Sequence, residues 1–163
     1  MSDTVRLREV TDADLDVFYI HQCDAGACLM AAFTSPDPTD RDAFDAHWRK
    51  VRGEPGITAR TILCGDVVAG HIASFHRGAD REVTYWLGRE CWGRGVATRA
   101  LTAYLAVETA RPLHGRVAAD NLGSQRVLEK CGFRVVGRER GHAEARGEEI
   151  DELVMRLDAQ GAP

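Results

Sequence analysis

Apolar positions along the chain follow two rhythms, one of helical period and one that alternates. Leu15, Phe18 and Tyr19 recur at helical spacing behind Thr11-Asp12, so residues 12–22 read as a helix after a strand at Val5–Leu7 and Val10. Residues 34–40, TSPDPTD, hold two of the five prolines and read as a loop. Asp40 or Thr39 then caps a second helix that carries Phe44 and Trp48 and ends before Gly53.

Beyond GEPG the rhythm shortens. Ile57–Cys64 and Val67–Phe75 flank Gly65-Asp66, the connection of a tight hairpin, and Glu82–Leu87 follows a turn at Gly78–Asp80. The three runs predict a meander. Ala97, Ala100, Leu101, Tyr104, Leu105 and Val107 then share one face of the longest predicted helix, which Pro112 ends. A strand at Leu113–Ala119 leads into a short helix with Ser124, Val127, Leu128 and Cys131 on one face, stopped at Gly132 where positive φ is wanted. Phe133–Val136 and Leu153–Leu157 read as closing strands, with the charged segment after Gly141 as a loop. The order β-α-α-β-β-β-α-β-α-β-β predicts an α+β domain. Its sheet is mixed and mostly antiparallel, with about six or seven strands and about four helices. With no repeat and no linker, 163 residues read as a single domain, 1–163, with an ordered core over 4–158.

Composition narrows the class. The 44% hydrophobic and 28% charged residues are those of a soluble globular protein. A formal net charge of −4 argues against a nucleic-acid binder, while leaving room for a local basic pocket. Five cysteines with no C-x-x-C argue against a disulfide framework or a zinc ribbon and suit the reduced thiols of a cytoplasm. Six scattered histidines with no H-x-x-x-H predict no metal site. The amino-terminal segment has no apolar signal core, and no stretch reaches a membrane span, so no membrane association is expected.

The chemistry concentrates at Tyr85–Leu101, YWLGRECWGRGVATRAL. A strand ends near Leu87, and Gly93, Gly95 and Ala97 stand where the long helix begins. Small residues there admit a ligand close to the backbone, and the unpaired N–H groups of a first helical turn favour an anion. The nucleotide P-loop is a poor fit, because Arg94-Gly95 replaces its Lys-Ser/Thr. The dinucleotide fingerprint also fails, since its third glycine is Thr98 and the turn follows a meander.

W-G-R-G-V-A, Trp92 to Ala97, resembles the [Q/R]-x-x-G-x-[G/A] signature of the GNAT superfamily of N-acetyltransferases. It is most similar to the branch that includes the ribosomal-protein N-terminal (alanine/serine) acetyltransferases, where tryptophan often takes the first position. D-N-x-x-S-x-R-V-L-E-K-x-G-F, Asp120 to Phe133, resembles the segment that follows in the same branch.

This resemblance implies a central sheet whose middle strands splay to hold acetyl-CoA. The pyrophosphate would rest on Trp92, Gly93, Arg94, Gly95, Val96, Ala97 and Thr98. The pantetheine arm would lie along Trp86, Leu87 and Gly88 and near Val117–Ala119, with a backbone N–H near Leu87 on the thioester carbonyl. Asn121 would contact the arm and Arg126 a phosphate. Glu82 stands where several family members carry a glutamate base, and Glu82, Thr84 and Trp86 share one strand face. Many members use a tyrosine acid in the second motif, but that position is Leu128; in the ribosomal-protein branch a serine at the place of Ser124 is the suggested acid.

The implied reaction is acetyl transfer from acetyl-CoA to a primary amine, a protein N-terminus or a small amine, by direct attack in a ternary complex. Covalent transfer through Cys91 or Cys131 is the less favoured scheme. Acceptor choice would lie in Cys23–Asp40 and Arg138–Glu149, both acidic and so suited to a cation. Family members often dimerise, so a homodimer is one expected assembly. A CoA-binding regulatory or partner-binding module that has lost catalysis is the rival reading, supported by the missing tyrosine. An ATP- or NAD-binding protein is weaker still.

Overall fold

The structure is a computed structural model that describes residues 4–160. Its strands are β1 (Val5–Arg8), β2 (Thr58–Cys64), β3 (Val67–Arg77), β4 (Asp80–Leu87), β5 (Leu113–Ala118), β6 (Arg134–Ala143) and β7 (Glu148–Leu157). They form one sheet in the order β1-β2-β3-β4-β5-β7-β6. Every neighbouring pair is antiparallel except β4–β5. The helices are α1 (Asp12–Gln22), α2 (Ala25–Ala31), α3 (Arg41–Gly53), α4 (Val96–Tyr104) and α5 (Leu122–Lys130). The α+β mixed sheet expected from the pattern is the fold.

Three expectations are corrected. The helix count is five among the described residues, because α2 follows α1 directly. Its sequence, AGACLMA, has no apolar stripe, but Asp24 caps it by accepting from the Ala27 N–H at 3.1 Å. Gly53 lies inside α3 rather than beyond it. The charged segment after Gly141 is loop only over 144–147: β6 runs to Ala143 and pairs with β7 from Glu148 onward, so the two strands form a ten-residue hairpin arm.

Successive strand residues face opposite sides, and the two sides have separate cores. Leu101, Tyr104 and Leu128 of α4 and α5 pack against Ile62, Ile72, Val83, Val117 and Met155. Phe18, Phe44, Trp48 and Val51 of α1 and α3 form the core of the other side. His71, one residue before Ile72, reaches that second core between Phe18 and Trp48, with ring centroids 4.9 Å from each.

A buried polar cluster seats the end of α4 on the sheet. The Tyr104 hydroxyl donates to the Thr58 carbonyl at 2.7 Å and lies 2.5 Å from Ser74 Oγ, which donates to Glu108 at 2.6 Å. Arg81 closes the cluster on Glu108 at 2.6 Å. Every group is satisfied, so the helix is held in register, and its opposite end is aimed at the middle of the sheet.

The middle of the sheet is open. β4 and β5 pair only at Arg81↔Leu113 and Glu82↔His114 and then part. The Gly88 N–H bonds the Ala69 carbonyl at 2.9 Å, which makes that pair and its even-numbered β4 relatives the ones bonded to β3. The N–H of Leu87 is therefore turned towards β5, into the opening.

Candidate active site

The opening between β4 and β5 is a cleft of about 460 Å³, bounded by the start of α4, the cleft side of α5 and, as an outer wall, α2. Pockets of this size accept drug-sized ligands or parts of larger cofactors. At one end the chain turns at Gly93 and Gly95, both with φ of +73°, and enters α4 at Val96. A side chain would be strained at either position. The first-turn N–H groups of α4 that follow have no carbonyl one turn back to bond, and Val96–Thr98 line this end of the cleft, an arrangement that favours an anion.

Most of the residues singled out from sequence meet here. Trp92, Gly93, Gly95, Val96, Ala97 and Thr98 line the end where α4 begins, and Arg126 lines the cleft from α5. Trp86 and Leu87 line the strand side, with Asn121 and Ser124 across from them. Asn121 first serves the fold: its Oδ1 caps α5 by accepting from Ser124 N–H at 3.2 Å, and its Nδ2 donates to the Met30 carbonyl at 3.4 Å.

Three residues stand elsewhere. Gly88 is not in the lining; a Cβ there would meet His21 Nε2 at 2.5 Å, so its smallness lets α1 approach β4. The Arg94 side chain reaches the Glu90 carbonyl at 3.5 Å and Cys64 Sγ at 3.8 Å, outside the lining. Glu82 is 5% exposed on the α1–α3 side of the sheet, ion-paired to Arg77 at 2.8 Å and to Arg116 at 3.3 Å. Arg116 also binds Glu139 at 2.6 Å and Glu152 at 3.1 Å, and these carboxylates hold its guanidinium well above the ordinary arginine range.

The cleft also contains residues that the motifs did not point to. Tyr85 faces it from β4, with its hydroxyl 2.7 Å from Ser124 Oγ. Burial pushes the phenol up to about 12. Lys130 adds a second cation on α5. Ala27, Met30 and Ala31 supply the α2 wall. Strand alternation alone would have placed Tyr85 with Val83 and Leu87 on the helix-covered side; nothing in the pattern signalled α2.

Two of the acidic residues in the proposed acceptor regions are paired with arginine, and a third is held by a neutral hydroxyl. Arg89 binds Asp24 at 2.6 Å, Arg116 binds Glu139, and Asp37 accepts from the Thr39 hydroxyl at 2.6 Å. All five cysteines are free, and burial pushes the Cys91 thiol up at the cleft floor, which disfavours a thiolate nucleophile there. Among the described residues no group of three or more His, Cys, Asp or Glu could hold a metal, and no helix is long and apolar enough to cross a membrane.

The chain resembles solved structures over nearly its whole length. RimJ of Mycobacterium smegmatis, in complex with CoA-disulfide, is 23% identical with a TM-score of 0.79, covering 98% of this chain and 84% of that one. Spermidine N-acetyltransferase from Vibrio cholerae, in complex with CoA and spermine, is 16% identical with a TM-score of 0.81, covering 94% and 95%. RimL, the ribosomal L7/L12 α-N-protein acetyltransferase, in complex with coenzyme A, is 17% identical with a TM-score of 0.77, covering 98% and 97%. At these identities the likeness speaks for the fold. No curated protein matches the sequence significantly. The family described as "Acetyltransferase (GNAT) domain" matches residues 4–134, and with the glycine turn, the open β4–β5 pair and the cleft between them, the chain belongs to the GNAT acetyltransferase family.

Proposed function

We propose that the chain moves an acetyl group from acetyl-CoA to a primary amine by direct attack in a ternary complex. The observation that carries this reading is the Leu87 N–H turned into a cleft that begins at the Gly93–Gly95 turn. Acetyl-CoA would enter from the α4–α5 side. Its pyrophosphate would rest on the backbone from Gly93 to Thr98, near Arg126 and Lys130, and its arm would run along Trp86 and Leu87 past Asn121. The thioester carbonyl would accept from Leu87 N–H, which stabilises the charge that develops on its oxygen.

The amine would approach from the other side of the sheet, where Thr84 is exposed beside half-buried Trp86. Attack needs an uncharged nitrogen, so its proton must leave. Glu82 is on that side and serves as the base in this reading. Its oxygens are engaged by two guanidinium groups, so accepting a proton requires Arg77, the more exposed partner at 54%, to move aside. The structural relatives act on protein N-termini and on polyamines. A protein N-terminus or a small amine is the proposed acceptor, and free thiols suit a cytoplasmic setting.

Thiol release from acetyl-CoA across polyamines, aminoglycosides and peptides with amino-terminal Ala or Ser tests the reading. Release with at least one class is expected. Acetyl-CoA binding without release under every acceptor would make the chain a CoA-binding module instead. With a working acceptor, Glu82→Gln should lower kcat by about 10²-fold, the lower end of general-base effects, and leave acetyl-CoA affinity unchanged. Unchanged kcat removes Glu82 from the mechanism.

A further inference from the structure

The position where many members of the family carry a tyrosine acid is here filled by the core. Leu128 is 3% exposed and packs on Gly115, whose added Cβ would lie 3.1 Å from Leu128 Cδ2. No phenol can be delivered from that residue. One arrives from the opposite wall. Tyr85 projects from β4 into the same cleft, two residues before Leu87, and its hydroxyl lies 2.7 Å from Ser124 Oγ on the first turn of α5. The pair spans the cleft from strand to helix, beside the Leu87 N–H proposed for the thioester carbonyl.

Resting on that reading, we propose that Tyr85 is the proton source for the departing CoA sulfur and acts through Ser124. As the tetrahedral intermediate collapses, the C–S bond breaks and its electron pair stays on sulfur. Sulfur takes the Ser124 hydroxyl proton while Ser124 takes the Tyr85 proton. The phenolate then regains a proton from solvent, which balances the one the amine sheds on attack. An aliphatic hydroxyl alone is a much weaker acid than a phenol, so Ser124 gains from a phenol behind it. Burial keeps that phenol protonated throughout the neutral range. Since it is a weaker acid than a thiol of ordinary pKa near ~8.5, the phenolate is short-lived.

The test compares wild type, Tyr85→Phe, Ser124→Ala and the double variant for kcat, acetyl-CoA affinity by calorimetry, and the pH profile of kcat. Tyr85→Phe is expected to lower kcat by about 10²-fold with affinity unchanged. The double variant should be no worse than the more impaired single one, because the two hydroxyls act as a unit. A Tyr85→Phe enzyme with wild-type kcat overturns the proposal. If Tyr85→Phe does not fold, replacing Tyr85 by a fluorotyrosine keeps the ring and makes the phenol more acidic. A changed kcat at neutral pH with acetyl-CoA affinity unchanged is then expected, and a wild-type kcat overturns the proposal. A wild type that releases no thiol with any amine overturns the functional reading itself, whereas an active wild type matched by Tyr85→Phe overturns only this assignment.

Discussion

Arg89 and Asp24, 65 residues apart in sequence, meet through two hydrogen bonds of 2.8 and 2.6 Å. Asp24 is the cap of α2, and Arg89 lies in the 3₁₀ turn between β4 and the glycines at 93 and 95, with its guanidinium over the Trp92 ring at 5.4 Å. The pair therefore ties the outer wall of the cleft to the end where α4 begins. A Cβ on Gly26 would fall 1.7 Å from Arg89 Nη2, so the first turn of α2 leaves space for this side chain.

Arg89→Ala should weaken acetyl-CoA binding severalfold with only a small change in Tm, because an exposed ion pair adds little stability. Asp24→Asn keeps a capping oxygen and loses the charge, so it should resemble Arg89→Ala in affinity. Isothermal titration with acetyl-CoA decides this. Unchanged affinity in both variants would mean that α2 is placed by its other contacts, such as Arg146 donating to the Leu29 carbonyl at 2.7 Å.

Two glycines should respond to alanine very differently. At Gly70 a Cβ would sit 2.0 Å from the Trp86 carbonyl oxygen, so Gly70→Ala must push β3 and β4 apart beside the cleft. Loss of about 3 kcal/mol or more, or failure to fold, is expected. At Gly93 nothing lies within 4 Å of the added atom, and only the left-handed φ of +73° resists. Gly93→Ala should cost about 1–2 kcal/mol. Urea denaturation of both proteins checks the order, and equal losses would contradict it.

His71 makes stability depend on acid. Burial pushes its pKa down to about 3, and its Nδ1 has no hydrogen-bond partner among the described residues. The unfolded chain binds a proton at this histidine below about pH 6.5, while the folded chain does not until about 3. The unfolded state thus gains protons across that window, and stability falls as pH falls. At pH 5 the loss from this group is about 2 kcal/mol relative to neutral pH. Urea denaturation at pH 7 and pH 5 should show this drop reduced in His71→Leu, each protein compared with its own pH 7 value. Equal drops would place the acid sensitivity on other groups.

The elements with strong local signals were legible in the sequence. Asp40 caps α3 as expected, Gly132 carries φ of +96° after α5, and Gly65 turns the β2–β3 hairpin with φ of +59°. The glycine turn at 93–95 was equally plain, since both glycines carry φ of +73°. α2 was missed because a seven-residue helix of small residues has no periodic face to read. The arm of β6 and β7 was shortened because its exposed residues break alternation: Val135 is 51% and Val136 40% exposed around the bulge before Gly137.

The sequence by itself determined the order of every element except α2, the glycine turn that opens α4, and the family, because these depend on residues close together in the chain. Only the tertiary structure decided which side chains face the cleft. It set Glu82 between Arg77 and Arg116, put Leu128 in the core, and brought Tyr85 to Ser124 across 39 positions of sequence. The reason is physical: strand register, the parting of β4 from β5 and the seating of α5 are set by packing between distant segments, and no local spacing encodes them.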